Sequence, residues 1–258
     1  MLKMNRSTTC GKRSKGLWKY VIITFALVGT PASNATAEDG ATRQYWIDFH
    51  RHFNISQVWE YYGDVGFRVD PDVWQRLYIR PSLRWHSPLD ALEGRGGLGV
   101  FYEHGNTRED RLELRPWLGA FLKWPRLGPL TISSYLRAEG RFIWHTTDWD
   151  LRESVRFRYK IGTKLPLKRA ERLKYFYIPV AAEWFDSVGP EIVEGFVEKR
   201  RLYVGLGRIF GTNIVGEFHF ILQNARITTD EEFKTEDYIF RLQIKYLWST
   251  RDYMSQES

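Results

Sequence analysis

From Gln44 onward, polar and apolar residues alternate in segments of roughly 8–14 residues, separated by Gly, Pro, Asn and Asp. A period of two puts successive side chains on opposite faces of a strand. In the segment from Gln75 to His86, Leu77, Ile79, Pro81, Leu83 and Trp85 share one face, and Arg76, Tyr78, Arg80, Ser82, Arg84 and His86 share the other. From Arg111 to Trp124, Leu112, Leu114, Pro116, Leu118, Ala120, Leu122 and Trp124 alternate with Glu113, Arg115, Trp117, Gly119, Phe121 and Lys123. From Asp237 to Trp248, Tyr238, Phe240, Leu242, Ile244, Tyr246 and Trp248 alternate with Ile239, Arg241, Gln243, Lys245 and Leu247. Further strands are predicted at Gln44–Phe53, Gln57–Val69, Gly97–His104, Leu130–His145, Arg152–Gly162, Lys174–Phe185, Arg201–Phe210 and Ile214–Gln223, eleven in all. No long stretch of period 3.6 interrupts them, so the fold class is all-β.

The two faces have different chemistry. The apolar one is aliphatic in its middle and often ends in Trp or Tyr; the other carries Arg, Glu, Gly and aromatics. That grammar predicts an antiparallel transmembrane up-and-down β-barrel, lipid outside and polar residues within. A mean hydropathy of −0.43 is compatible with it, because the two faces average out. Single-chain bacterial barrels have an even number of strands, so twelve are expected, with ten as the alternative. The missing strand is sought in Asp186–Val197, or one short segment lies outside the wall. Pro81, Pro116 and Pro179 fall inside strand patterns and predict bulges or local breaks.

Residues 1–37 carry six basic residues, no acidic ones and the lone cysteine, Cys10. A basic front, an apolar run from Val21 to Val28 and the small residues ending Ala35-Thr36-Ala37 predict a secretory signal peptide, with residues 38–258 as the mature barrel and a short tail after Trp248. Losing six positive charges would lower the formal charge from +7 to +1. A bulk electrostatic pull on nucleic acid is thereby excluded, as is a disulfide-stapled module. The location this predicts is the bacterial outer membrane, with outer-membrane lipid as the surroundings and the chain a monomer.

The ordered set Arg156 and Arg158, Glu183-Trp184, Arg201 with Gly205-Leu206-Gly207, Glu217 and Arg241 resembles the domain-of-unknown-function 2490 family of bacterial outer-membrane barrels. The resemblance spans most of the mature chain and is best from Leu130 onward. It implies an outer-membrane barrel and no assigned activity. Such barrels usually end on an aromatic residue; here ten residues follow Trp248.

The charged face carries the candidate chemistry. The phasing turns fourteen basic residues inward: Arg68, Arg76, Arg80, Arg84, Arg115, Lys123, Arg137, Arg141, Arg156, Arg158, Lys160, Arg201, Arg241 and Lys245. Eight acids go with them: Asp48, Glu60, Asp64, Glu103, Glu113, Glu139, Glu183 and Glu217. Ten of the arginines (76, 80, 84, 115, 137, 141, 156, 158, 201 and 241) would line a path for small anionic solutes, since guanidinium stays charged and grips carboxylate or phosphate bidentately. In size and arginine use the chain is similar to small twelve-stranded porins for acidic oligosaccharides. Alternatively Glu113, Glu139, Glu183 and Glu217 pair with the arginines and fill the lumen.

Little points to an enzyme. No His-x-Ser occurs on any strand, and His86-Ser87 point to opposite sides. His50 and His52 share a face with Asp48, an incomplete set for zinc. Gly94, Gly96, Gly97 and Gly99 begin a strand with no helix after them, so they cradle no phosphate; they relieve crowding or mark a bulge. Lys168-Arg169 reads as a solvated basic turn. The sequence therefore predicts a non-enzymatic barrel, structural or a narrow channel, with no cofactor and no metal. An anion-preferring porin, a lipid-modifying envelope enzyme and a soluble lipocalin-like binder are the alternatives.

Overall fold

The computed structural model describes residues 41–106, 109–128, 130–167, 173–188, 198–226 and 234–248. The predicted signal segment, Lys168-Arg169 and the tail after Trp248 lie outside the described residues. Twelve strand segments follow one another: β1 (Thr42–Asn54), β2 (Trp59–Asp70), β3 (Trp74–Arg80), β4 (Ser82–His86), β5 (Leu92–Gly105), β6 (Arg111–Lys123), β7 (Thr131–His145), β8 (Leu151–Pro166), β9 (Phe176–Val188), β10 (Glu198–Phe210), β11 (Ile214–Arg226) and β12 (Lys234–Trp248). No α-helix occurs among the described residues.

Except for β3 and β4, each strand pairs with the next, and β1 closes the ring against β12. β3 and β4 share one place in the wall, both lying between β2 and β5. Register carries across Pro81 without a shift: on one side Asp64 faces Arg80 and Tyr61 faces Leu83, on the other Ile79 faces Val100 and Ser82 faces Gly97. They are one strand, interrupted where proline has no N–H to donate.

The wall therefore has eleven positions, which corrects the expected twelve and the purely antiparallel topology. An odd number of up-and-down strands leaves the first and last running the same way, so the β1–β12 seam is parallel. Thr42 and Trp248 consequently mark opposite ends of the barrel. Of the segment Asp186–Val197, residues 186–188 end β9 and 189–197 lie outside the described residues; β9 and β10 pair directly. The other prolines behave like Pro81. The β6–β7 ladder skips Pro116 between Leu114↔Phe142 and Trp117↔Glu139, and the β9–β10 ladder skips Pro179 between Val204↔Val180 and Gly207↔Tyr177, both in unchanged register. Of the expected bulges or local breaks, the structure has breaks; the one register shift among these ladders is at Gln223/Asn224.

The in/out phase is as the alternation predicts. Leu77, Ile79, Leu83, Leu242 and Ile244 are exposed on the outer wall, whereas Tyr78, Ser82, Gln243 and Leu247 are buried within. The exposed outer band is aliphatic at mid-height, with Leu118, Leu136 and Leu202, and aromatic towards the Trp248 end, with Trp59, Trp85, Trp124, Phe210 and Trp248. The interior is a packed core. Trp46, Tyr203, Ile221 and Ile239 form one buried apolar cluster, and Tyr177, Ile209, Val215 and Leu247 another. Between them on β11 and β12 stand Glu217, His219, Arg241 and Gln243, so apolar and charged layers alternate along the lumen.

Candidate functional site: a charge-filled lumen

The pleat that turns leucines outward turns Arg and Glu of neighbouring strands towards each other inside. Glu139 on β7, whose side chain is fully buried, is the hub. Arg137 reaches it at 2.7 Å, Arg158 at 2.9 Å, Arg156 through Nε at 2.9 Å and Arg115 at 3.9 Å. Arg156 and Arg158 hydrogen-bond to it, and Arg137 and Arg115 lie within ion-pair distance, so the buried carboxylate meets the charge of four guanidinium groups. Arg158 also donates to Glu183 at 2.6 Å, and Glu183 accepts from the Tyr203 hydroxyl. On the other side Arg115 holds Glu113 at 2.7 Å, and Arg141 holds it at 2.7 Å. The result is a chain from Arg141 through Glu113, Arg115, Glu139 and Arg158 to Glu183, crossing four strands.

Smaller networks occupy the rest of the circumference. Arg80 grips Asp64 with two bonds, at 2.8 and 2.6 Å, and the Tyr78 hydroxyl lies 2.6 Å from Asp48 and 3.0 Å from Asp64. Arg241 donates to Asp48 from across the seam, and Arg76 donates to Glu103 at 2.7 Å through Nε. Glu60 takes His52 at 3.0 Å, Arg84 at 3.0 Å and His86 at 3.1 Å. Glu217 takes Lys245 at 2.9 Å, His219 at 3.1 Å and the Tyr177 hydroxyl.

All ten arginines proposed for an anion path thus point inward, as do Glu113, Glu139, Glu183 and Glu217, and nine of the ten hold a carboxylate. Arg201 is the exception; its Nε donates to Gln223. Arg68 and Lys160 also lack a carboxylate within salt-bridge distance among the described residues. These three lie over aromatic faces instead: Arg68 over Trp46 at 4.1 Å, Lys160 over Tyr203 at 3.8 Å and Arg201 over Phe185 at 4.5 Å. Aromatic rings also back several paired cations, with Arg137 over Trp117 at 4.0 Å, Arg115 over Phe101 at 4.1 Å and Arg84 over Tyr62 at 4.3 Å. Ring quadrupoles supply part of the stabilisation a desolvated cation needs.

A lumen cavity between Arg76, Glu103, Arg111, Glu113 and Arg141 measures about 20 Å³, the space of one water molecule. His50, His52 and Asp48 share the interior as predicted, but each is taken up separately: His52 by Glu60, His50 by Gln243 and Asp48 by Arg241. No group of three metal-ligating side chains converges among the described residues. Sequence reasoning missed Glu93 and Arg95, which bond at 2.7 Å inside β5, because the glycine-rich start of that strand hides its period. Of those glycines, Gly99 faces inward and its missing side chain is replaced by the Phe101 ring, 2.5 Å from where a Cβ would stand. That is relief of crowding, as expected, with no bulge.

Outside the wall, Asp110 in the β5–β6 turn accepts from the Tyr102 hydroxyl at 2.5 Å and from the Gly105 N–H, and lies 2.8 Å from His104. The Tyr102 hydrogen bond is the largest of the influences that lower its pKa from the ordinary 3.8.

The family model described as "Protein of unknown function (DUF2490)" matches residues 43–246, which takes in the whole wall from β1 to β12. No curated protein and no solved structure matches the chain.

Proposed function

The chain belongs to the DUF2490 family, and on that premise we propose that it is a non-enzymatic outer-membrane β-barrel whose lumen is sealed by its own paired charges. The observation that carries this reading is the chain from Arg141 to Glu183 through Glu139: the arginines that would greet an anion are already bound. A barrel of this kind serves as a rigid, monomeric wall element, presenting its ends and its outer surface rather than a path. The membrane half of the proposal rests on the exposed aliphatic band with its aromatic edge, which in water would be an unusually large apolar surface.

A second reading, a narrow anion-preferring channel, is favoured by Arg68, Lys160 and Arg201, which stand over aromatic rings without an acid. Planar-bilayer recording of the refolded protein separates the two. The sealed barrel gives no steady conductance. A steady current with anion-selective reversal potential replaces that reading with the channel. Unchanged gel migration on boiling, from a water-soluble fraction, overturns the membrane assignment itself.

A further inference from the structure

The outer wall from β2 to β6 is not a uniform apolar band. Its outward positions at Pro81, Gly94, Gly96 and Pro116 lack long side chains and leave an open groove of about 1040 Å³. Trp59, Tyr61, Leu83 and Trp85 form one flank, and Leu98 and Leu118 the other. The floor is fixed by close approach. A Cβ on Gly96 would stand 2.8 Å from Leu118 Cδ2, and one on Gly94 would stand 3.3 Å from the Trp85 ring.

Beyond the groove's Tyr61 flank stands a cation. Tyr61 on its flank stacks on Phe53 at 4.9 Å, and the Arg51 guanidinium lies over Phe53 at 5.7 Å and over Trp248 at 5.4 Å. The ladder row that begins at Arg51 runs through Gly63 and past Pro81 to Leu98 and Pro116. Arg51 is exposed and outward-facing, and makes no ion pair among the described residues. A permanent charge standing unpaired on an apolar wall calls for an anion from the surrounding medium.

The surroundings at that end have the matching sign. The described turns at the Trp248 end carry two bases, Arg126 and Lys174, and one acid, Asp90. In the described turns at the Thr42 end, Asp72, Glu109, Asp110, Asp148 and Asp150 stand with no base among them.

We propose that this outer face is a binding site for one anionic phospholipid, its headgroup phosphate on Arg51 and an acyl chain in the groove floored by Gly94 and Gly96. The site rests on the membrane reading above. It orients the barrel, with the Trp248 end at the headgroup layer that supplies the lipid.

The test is native mass spectrometry of the full chain in mild detergent, titrated with phosphatidylglycerol or phosphatidylcholine of identical acyl chains, with inorganic phosphate as a third arm. Folding is read first, from the heat-dependent gel shift and from insertion into bilayers. One phosphatidylglycerol should be retained roughly tenfold more tightly than phosphatidylcholine, the weight of a charge-assisted bond. Arg51→Gln should abolish that preference and leave folding intact. Gly96→Leu, which fills the groove, should weaken both lipids. Equal retention of the two lipids by a folded, inserted barrel overturns the site while leaving the membrane reading standing, as does an Arg51→Gln variant that keeps the preference. Displacement of phosphatidylglycerol by millimolar phosphate overturns the acyl-chain half. A chain that neither shifts on heating nor inserts takes down both readings together.

Discussion

Arg241 on β12 donates to Asp48 on β1, so the parallel seam that closes the barrel is tied by a buried ion pair as well as by its ladder. Asp48 is fully buried, and the Tyr78 hydroxyl completes its shell at 2.6 Å. Asp48→Ala leaves the guanidinium of Arg241 facing an empty place. Removing one partner of a buried pair costs about 3–5 kcal/mol, whereas replacing both by apolar groups is often neutral. The expected result is a large drop in the denaturant midpoint for Asp48→Ala and substantial recovery in Asp48→Leu/Arg241→Met. If the double variant is no better than the single one, the pair is not what the seam depends on.

The β5–β6 turn should respond to acid. A folded Asp110 pKa below the ordinary 3.8 means that the charged, hydrogen-bonded turn is favoured above that value. The advantage is lost as pH falls through the folded pKa, because the carboxylate must then take up a proton. Tyr102 donates the largest contribution, so Tyr102→Phe should move the Asp110 midpoint back towards 3.8. A carboxyl-resolved NMR titration measures both midpoints; an unmoved midpoint in Tyr102→Phe contradicts the assignment.

Lipid exposure of the wall can be tested at Leu136, which sits exposed on the outer face of β7 near mid-height. In a bilayer, Leu136→Arg places a charge near the midplane at a cost of about 2–4 kcal/mol. In water the same exposed change would fall within about 0.5 kcal/mol. Thr212→Arg, in the β10–β11 turn, serves as the reference. The expected outcome is impaired assembly for Leu136→Arg alone, read by the heat-dependent gel shift in membranes. Equal assembly of the two variants would place the outer wall in water.

Much of this architecture is legible in the alternation. The segment from Gln75 to His86 keeps its period across Pro81, and the structure keeps its register there too, so the in/out assignment of Arg76, Arg80 and Arg84 is readable from sequence. What the alternation does not carry is the number of strands in the ring. The eleven segments in the pattern are the eleven wall positions, and the general even-number rule pointed away from them. Pairing inside the lumen was legible only by strand adjacency. Glu139 with Arg137 and Arg156 could be anticipated from β7 and β8, but its approach to Arg115 depends on side-chain reach across the ladder. The groove left no periodic signal, because glycine and proline at outward positions simply dilute the apolar face.

The seal itself is tested at Glu139. Glu139→Gln keeps the shape and removes the one charge shared by Arg115, Arg137, Arg156 and Arg158. Four guanidinium groups then face each other in a space of low dielectric, with only Arg115 and Arg158 still paired, to Glu113 and Glu183, and Arg137 and Arg156 left without a carboxylate. A loss of about 3–5 kcal/mol is expected, the scale for breaking a buried pair. Where the variant still folds, the arginines should swing towards the water-accessible ends and a small anion-selective conductance should appear. It should fall as salt rises, since screening shortens to about 3 Å at 1 M. Glu236→Gln, at a half-exposed rim contact with Lys199, is the control and should change stability by under about 1 kcal/mol with no current. Arg156→Gln added to Glu139→Gln removes a cation whose carboxylate partner is Glu139 alone, relieves part of the repulsion and should restore both stability and silence. A Glu139→Gln barrel as stable and as silent as the parent would show that packing by the apolar clusters, rather than this carboxylate, closes the lumen.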